Sequence, residues 1–369
     1  MIKKILITIC CILAFIGVVA YNANHDKMGS NQDHFVIKAL VPLSGRAASV
    51  ATSIRSGVDL AKDELAKRYG NRFEVVLLDS GSDPTTALSI YKQQIEGKEK
   101  NTGLWYTLSP VGKAIKPLLN GKMLTLSLTG ADGLSDPNKN IFQLSPKTID
   151  IKPTLIDFMK KKNIKTVSIV YPGDVYGLEN FHVVKSAVLE SGGQIIEQMQ
   201  YSDTDFDFRI QALKLKTKNP DMIFVAGLGN AYSSVLRDIH ASEYAGILMV
   251  DWSFTIPHFY MAYPKLTERM YVISTIPPAF FEQAYNAKYD KPAWLMHVGG
   301  AYDAVVLIAE ACANTDCSAD EMGKYVAGLK DYDGAMGKYS MSPVGDITVQ
   351  AFVCKIKNGK IIPLEKEEK

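Results

Sequence analysis

The chain has 369 residues, of which 47% are hydrophobic and 22% charged, a composition that is ordinary for a globular protein and excludes both disorder and a polytopic membrane protein. Its length predicts two domains, or one large one, at about 150 residues per domain. Lysine and arginine total 41 and aspartate and glutamate 39; the first twenty residues hold two of these bases and no acid, so the rest of the chain is neutral. A neutral chain lacks the basic surface that nucleic-acid binding requires, which excludes nucleic acid as a partner.

Residues 1–20 have the pattern of a signal peptide. Lys3 and Lys4 form a positive start, a run that is apolar except for Thr8 extends from residue 5 to Ala20, and the residues that follow are polar. The run is shorter than the ~20 apolar residues that cross a bilayer, which favours cleavage and export, with an uncleaved anchor as the alternative. Cys10 follows Ile9, where a lipoprotein would have a small residue, so we expect a soluble exported protein.

From residue 36 onward the chain alternates short apolar runs with stretches of helical spacing. The predicted strands are apolar throughout, as expected for a parallel sheet that is covered on both faces. Asp83 followed by Pro84 marks a helix start, with Asp83 as the N-cap. In this part we predict strands at 36–43, 73–78, 104–108 and 123–128, and helices at 50–68, from Pro84 and after Pro110.

The same pattern restarts after a connector at 142–146 and predicts a second unit of similar size. Two such units without a flexible linker indicate a cleft between them, where ligands usually bind. The fold class is therefore α/β, with two doubly wound lobes and parallel-rich sheets. The second unit has predicted strands at 166–171, 195–201, 222–226, 247–250 and 271–275, and helices at 151–162, 177–191, 206–216 and 231–242.

The last part of the chain follows Pro277-Pro278 and contains all three cysteines beyond residue 20. Cys312 and Cys317 are five residues apart, which in an oxidising compartment permits a small-loop disulfide, although the spacing leaves the bridge open. Cys354, in an apolar strand, is expected to be a buried free thiol. Here we predict helices at 279–289, at 299–313 and from residue 318, a strand at 347–356 and a turn at Asn358-Gly359.

No motif of the common enzyme classes occurs in the sequence. HExxH, G-x-S-x-G, G-x-x-x-x-G-K-[ST] and C-x-x-C are absent, and no two histidines have a metal-ligand spacing. Gly227-Leu228-Gly229 lies where a dinucleotide turn would lie, but the third glycine of that motif is missing. We therefore expect a protein that is not an enzyme and holds no metal or cofactor; a hydrolase is the remote alternative, because 39 acids leave room for a carboxylate pair.

Five motifs follow one another in a fixed order between residues 35 and 359. They are Val41-Pro42-Leu43-Ser44-Gly45, Asp79-Ser80-Gly81-Ser82-Asp83-Pro84, Tyr176-Gly177, Thr204-Asp205-Phe206 and Asn219-Pro220-Asp221. In this order they resemble the leucine/isoleucine/valine-binding protein family, the type I periplasmic substrate-binding proteins of ABC transporters. The chain departs from the family at Ala51, where a glycine is usual.

The resemblance implies two Rossmann-like lobes, joined by three crossovers, that close on a ligand. Carried over to this chain, the crossovers fall near Pro146, Pro278 and Gly337. The limits are then 35–146 with 278–337 for lobe 1, and 147–277 with 338–369 for lobe 2.

The resemblance also implies which residues of lobe 1 contact the ligand. Ser109 and the amides of Val111 and Gly112, at a helix start, would hold a ligand carboxylate. Thr129, with Ala131 two residues later, matches the family's second carboxylate-binding turn. From the residues alone, the serine is also explained as a helix N-cap, and the second segment as an ordinary glycine turn.

From lobe 2 the resemblance implies an aromatic ring at Tyr176, which stacks on the ligand or hydrogen-bonds to it; loop packing is the alternative. Asp251 ends a strand at the cleft, and in the family a carboxylate near this position neutralises the ligand's amine. If the register differs by one residue, Trp252 takes its place, which favours an aromatic or apolar acid over an amino acid. Weaker candidates for the pocket wall are Val50, Trp105, Tyr106 and Leu228.

A receptor is the function that the resemblance implies. It would capture a small amino acid or carboxylate in the periplasm and deliver it to the membrane permease of an ABC importer, without a cofactor. A sensor that reports to a membrane signalling protein is the alternative, and the sequence does not separate the two. A branched-chain amino acid is the default ligand, a small aromatic or aliphatic carboxylate its rival, and an amide or urea is more remote.

Overall fold

The computed structural model describes residues 34–262, 267, 270–291, 293, 295–357 and 360–364. The predicted signal peptide and the predicted turn at Asn358-Gly359 lie outside the described residues. Within them, strands and helices alternate as the apolar runs predict.

The first sheet consists of five parallel strands. Its strands are β1 Phe35–Val41, β2 Phe73–Asp79, β3 Thr102–Thr107, β4 Thr125–Leu128 and β5 Ile141–Gln143, and the helices among them are α1 Ala51–Tyr69, α2 Pro84–Gln94 and α3 Ser109–Ile115. The strand order is β2-β1-β3-β4-β5. Asp83 caps α2 as predicted, because its carboxylate accepts the backbone N–H of Thr86 at 2.8 Å.

A second run of strands and helices follows β5. The strands are β6 Thr166–Pro172, β7 Gln194–Tyr201, β8 Met222–Val225, β9 Ile247–Val250 and β10 Met270–Ser274, and the helices are α4 Lys152–Lys161, α5 Val175–Glu190, α6 Arg209–Lys218, α7 Asn230–Ala241 and α8 Pro257–Ala262. These five strands are parallel to one another where they pair, so their carboxyl ends share one edge of the sheet.

The chain then returns to the first sheet before it completes the second. The elements are α9 Ala279–Lys288, α10 Leu295–Ala313, α11 Ala319–Ala327, the hairpin of β11 Tyr332–Gly334 and β12 Gly337–Tyr339, then β13 Phe352–Lys357 and β14 Lys360–Pro363. Both last strands are antiparallel and extend the second sheet to the order β14-β13-β10-β9-β8-β6-β7.

Three passages of the chain connect the two sheets: after β5, after β10, and before β13. We call the first sheet with its packed helices α1, α2, α3, α10 and α11 the first lobe, and the second sheet with α4 to α7 the second lobe. The residues at which one lobe gives way to the other, near 146, 278 and 337, stay a prediction.

The predicted strand at 347–356 is wrong in its first half. β13 begins at Phe352, which pairs with Ser274, the last residue of β10. Residues 347–351 lie before this pairing and do not join the second sheet, and the backbone N–H of Ile347 donates to the carbonyl of Gln143 at the end of β5. Ile347 also forms an isolated antiparallel bridge with Met341.

Helix α10 is the central helix of the first lobe. It packs on α1 so closely that a Cβ added at Gly57 would lie 2.2 Å from the carbonyl oxygen of Val298. By length and composition α10 could cross a membrane, but 78% of its apolar stretch is buried inside the protein, which identifies it as a core helix.

Cysteine pairing, which the sequence left open, is resolved. Cys312 near the end of α10 is disulfide-bonded to Cys317. Cys354 is buried and free, and burial raises the pKa of its thiol to about 12. A thiol with this pKa is unreactive at neutral pH, so the expectation of an inert cysteine is confirmed.

Candidate binding site between the two sheets

A cavity lies between the lobes, at the carboxyl ends of strands from both sheets. The strand orders place β1 beside β3 and β6 beside β8, the points where the direction of the crossovers reverses and where open α/β sheets form their crevices. Its wall consists of Arg46, Val50, Thr107, Leu108, Ser109, Pro110, Leu128, Thr129, Gly130, Ser145, Pro172, Asp174, Tyr176, Leu228, Trp252, Ser253, Met296 and His297.

The size of this cavity suits a small molecule. Its volume is about 70 Å³, several times the ~10–15 Å³ that one water requires. A larger groove of about 500 Å³ lies on the outer face of the second lobe, between α4 and β13. That groove is away from the strand ends at which the lobes meet, so the interlobe cavity is the candidate site.

Ser109 reaches the cavity from the start of α3. It is the first residue of the helix rather than its N-cap, a position that Leu108 occupies with a positive φ of 75°. Positive φ is uncommon outside glycine and costs about 1–3 kcal/mol, which the surrounding fold must offset. The hydroxyl of Ser109 has no hydrogen-bond partner among the described residues, although the residue is only 4% exposed. The amide of Gly112 donates to the carbonyl of Leu108 and is not available to a ligand.

Thr129 lies in the cavity wall, on a turn that is fixed from behind. The side-chain amide of Gln143 donates from Nε2 to the carbonyl oxygens of Thr129 at 2.8 Å and Ala131 at 3.0 Å. Ala131 is fully buried and does not line the cavity, so its predicted ligand contact is not supported. The buried amide binds the carbonyl side of the turn and leaves the hydroxyl of Thr129 at the wall, 3.3 Å from Ser127 Oγ.

Asp251 lies behind the wall rather than in it. Its carboxylate accepts hydrogen bonds from the hydroxyl of Tyr176 at 2.5 Å, the hydroxyl of Tyr232 at 3.0 Å and the amide of Gly227 at 3.2 Å. The residue is 2% exposed, and burial raises its pKa to about 7. The prediction that Asp251 faces the ligand is therefore not supported, and Trp252, the one-residue alternative, occupies the wall.

Tyr176 contributes to both the wall and the hydrogen bonds behind it. The residue lines the cavity, while its hydroxyl donates to Asp251 and lies 3.3 Å from Ser253 Oγ. Burial, together with the neighbouring charge of Asp251, raises the pKa of Tyr176 well above its ordinary value. The hydroxyl is therefore held as a donor to Asp251, and what Tyr176 offers a ligand is its ring.

Arg46 was not among the predicted site residues. From the loop after β1 it crosses to the second lobe, where its guanidinium donates to Asp174 at 2.7 Å and Asp203 at 2.9 Å. Burial alone would lower the pKa of Arg46, but the two carboxylates raise it above its ordinary value. The sequence signal that could have identified Arg46 was its position directly after the motif at 41–45, because the loop after the first strand lies at the crevice.

Asp174 and the start of α10 were missed as well. Asp174 caps α5 by accepting the amide of Gly177 at 2.8 Å. Met296 and His297 enter the wall because α10 begins at Leu295, four residues before its predicted start. Burial lowers the pKa of His297 to about 3, so this imidazole is neutral at physiological pH.

The remaining candidates divide between wall and core. Val50 and Leu228 line the cavity, whereas Trp105 and Tyr106 are fully buried and do not line it. Among the described residues, no group of three or more His, Cys, Asp or Glu side chains could hold a metal ion.

Sequence comparison identifies the class of protein to which this fold and site belong. The periplasmic binding protein family matches residues 37–360. Leu/Ile/Val-binding protein homolog 3 of Brucella melitensis is 23% identical over 369 residues, covering 96% of this chain and 100% of that protein.

Solved structures of the same fold are similar over nearly the whole chain. The solute-binding protein of an ABC transporter from R. palustris, in complex with benzoate, has a TM-score of 0.79 and 20% identity, over 90% of this chain and 95% of that one. The branched-chain amino acid transporter substrate-binding protein LivJ of Streptococcus pneumoniae, in complex with isoleucine, has a TM-score of 0.78 and 22% identity, over 89% and 98%.

The chain belongs to the periplasmic binding protein family and has the type I fold of that family. Proteins of this family are exported to the periplasm, and the relatives named above are solute-binding proteins rather than enzymes. The expectations of a type I binding protein and of a chain without catalytic function are thus confirmed.

Proposed function

We propose that the protein is the receptor of an ABC importer, which captures a small amino acid or carboxylate between its lobes and delivers it to a membrane permease. The observation that carries the proposal is the cavity at the carboxyl ends of both sheets, with Ser109, Thr129, Tyr176 and Trp252 in its wall. The name of the Brucella relative, and the benzoate and isoleucine in the two solved structures, support this range of ligands.

Within this proposal the two lobes have different roles. The hydroxyls of Ser109 and Thr129, on the first lobe, donate to the ligand's carboxylate. The rings of Tyr176 and Trp252, on the second lobe, cover its body and exclude water. Hydrogen bonds to a charged group strengthen as water is excluded, so each lobe reinforces the other's contacts.

Closure of the lobes is the proposed consequence of binding. A ligand that contacts both lobes stabilises the closed form by its differential affinity for the closed and open states. Arg46 bonds to Asp174 and Asp203 across the opening of the cleft, and α3 packs on α5 across the same boundary. These contacts join the two lobes, so within this proposal they add to the stability of the closed state.

Export and lobe limits complete the proposal. Residues 1–20 are removed as a signal peptide. The chain passes from one lobe to the other near residues 146, 278 and 337, and the permease recognises the closed form. Mass spectrometry of the protein secreted from an expressing cell checks the cleavage, with a mature N-terminus at Tyr21 expected and retention of Met1 contradicting it.

A thermal-shift screen of the purified mature protein tests the function. Amino acids, aromatic and aliphatic carboxylates and amides are each added in excess, because binding to the native state raises the melting temperature by mass action. We expect at least one carboxylate or amino acid to raise it. The proposal fails if none of the three classes does, or if a bound compound is converted during prolonged incubation.

A further inference from the structure

We infer that this cavity selects carboxylates that carry no amine, and that Asp251 is a positioning residue for Tyr176 rather than a partner for a ligand's ammonium group. The inference rests on the proposed function and narrows its ligand class. Both carboxylates at the cavity, those of Asp174 and Asp251, are already held by other groups of the protein.

Three donors surround the carboxylate of Asp251. Oδ2 accepts the hydroxyl of Tyr176 and the amide of Gly227, and Oδ1 accepts the hydroxyl of Tyr232. Tyr176 lines the cavity and Asp251 does not, so a ligand's ammonium would have to displace the tyrosine hydroxyl to reach the acid. Displacement would leave that buried hydroxyl without its acceptor, which disfavours binding of an amine.

Asp174 is the only acid among the described residues of the wall, and it is neutralised within the protein. Its Oδ1 accepts the amide of Gly177 and its Oδ2 accepts the guanidinium of Arg46. A ligand ammonium at Asp174 would compete with the ion pair that joins the lobes. It would therefore weaken the closed state that the ligand must stabilise.

The wall offers hydrogen-bond donors to an anion. A guanidinium has five N–H donors, and Arg46 uses its two terminal nitrogens on Asp174 and Asp203, which leaves further N–H groups. The Ser109 hydroxyl has no partner among the described residues. His297 is neutral and adds no charge.

The rest of the wall suits an apolar or aromatic body. Trp252, Leu228 and Met296 lie in it beside the ring of Tyr176. An aromatic ring or a short branched chain is stabilised there by apolar burial and stacking. A protonated amine on the same body would be buried without a carboxylate partner, which is strongly unfavourable.

Calorimetric titration with matched ligands tests the inference. The probes are 3-phenylpropanoate against phenylalanine and 4-methylpentanoate against leucine, pairs that differ only by the amine. We expect at least one acid to bind about 100-fold or more tighter than its amino acid, since an unpaired buried charge is rejected by at least this factor. If an amino acid binds more tightly than its matched acid, the inference is overturned while the proposed function stands. If none of the four probes binds, the inference is also overturned, and the wider thermal-shift screen then decides on the function.

Variants of Asp251 distinguish positioning from direct contact. In Asp251→Asn the ratio of acid affinity to amino-acid affinity is expected to stay within about threefold of the wild-type ratio, because the aspartate does not contact the ligand's amine. Absolute affinity for the acid falls less than about tenfold, since asparagine still accepts a hydrogen bond from Tyr176. Tyr232→Phe is the matched control, because it removes one donor to Asp251 without altering the wall. Selective loss of amino-acid binding in Asp251→Asn, with acid binding unchanged, overturns the positioning role.

Discussion

Ser109 and Asp251 show how far a single residue can be interpreted from the sequence. The family resemblance implied a ligand contact for both, and each lies at the end of a strand at the cleft edge. The structure brings Ser109 to the cavity wall and turns Asp251 away from it, towards Tyr176 and Tyr232. Position along a strand predicts which edge a residue lies at, but the direction of its side chain depends on hydroxyl donors that are distant in sequence, so this part could not be predicted.

Loss of the Ser109 hydroxyl tests its proposed contact. We expect Ser109→Ala to weaken binding of the tightest carboxylate in the screen by about 1.5–3 kcal/mol, the usual range for a hydrogen bond to a charged group. Isothermal titration calorimetry measures the change. Ser168→Ala is the matched control, because Ser168 is a fully buried serine outside the cavity wall whose hydroxyl has no partner among the described residues. Equal affinities of the two variants would remove Ser109 from the site.

The protonation of Asp251 makes stability depend on pH. Its pKa in the folded protein is raised to about 7 from an ordinary value of 3.8, so the folded state retains a proton that the unfolded state loses. Stability from this group is therefore present at low pH and is lost as the pH rises from about 4 to about 7. Urea unfolding across this range should show a smaller decline for Asp251→Asn than for the wild type. Parallel curves for the two proteins would contradict the raised pKa.

At the scale of elements, apolar runs located ten of the described strands, whereas β5, which overlaps the predicted connector at 142–146, and the short strands β11, β12 and β14 were not predicted. The ends of the predicted elements were less accurate where tertiary contacts decide them. α6 begins at Arg209 instead of residue 206, because the amide of Phe208 donates to the buried carboxylate of Asp238. β13 begins at Phe352 because β10 ends opposite it. In both cases the boundary is set by a partner that the local sequence does not contain.

The bridge at the end of α10 gives a prediction at the same scale. Replacing Cys312 and Cys317 together with serine should lower the free energy of unfolding by about 2 kcal/mol, the value expected for releasing a loop of this length in the unfolded chain. Chemical denaturation of the double variant and the wild type measures it. Cys354→Ser, which breaks no bridge, controls for loss of a thiol. A double variant as stable as the wild type would show that the bridge adds nothing.

For the whole molecule, the alternation of strands and helices and the order of five motifs predicted two lobes with a cavity between them. The ion pairs that join the lobes could not be predicted, because Arg46 is separated from Asp174 and Asp203 by well over a hundred residues. Charged residues in exposed loops carry no periodic signal that identifies their partners.

Removing the cation that joins the lobes should favour the open form. We expect Arg46→Met to weaken binding of the same carboxylate about tenfold, with a faster dissociation rate, because the closed state loses two charge-assisted hydrogen bonds. Small-angle X-ray scattering should report a larger radius of gyration without ligand. Arg209→Met removes an exposed arginine paired only locally with Asp207 and is the control. Identical scattering and affinity for the two variants would exclude Arg46 from closure.

The close packing of α1 on α10 also constrains how the protein is made. Gly57 and Val298 touch across about 240 residues of intervening chain, and α10 supplies Met296 and His297 to the cavity. Synthesis from the amino end delivers α1 early and α10 near the end of the chain. Until then α1 lacks the helix on which it packs most closely, and the cavity lacks Met296 and His297. Contacts this distant in sequence also slow folding, so the cavity is complete only after nearly the whole chain has been made.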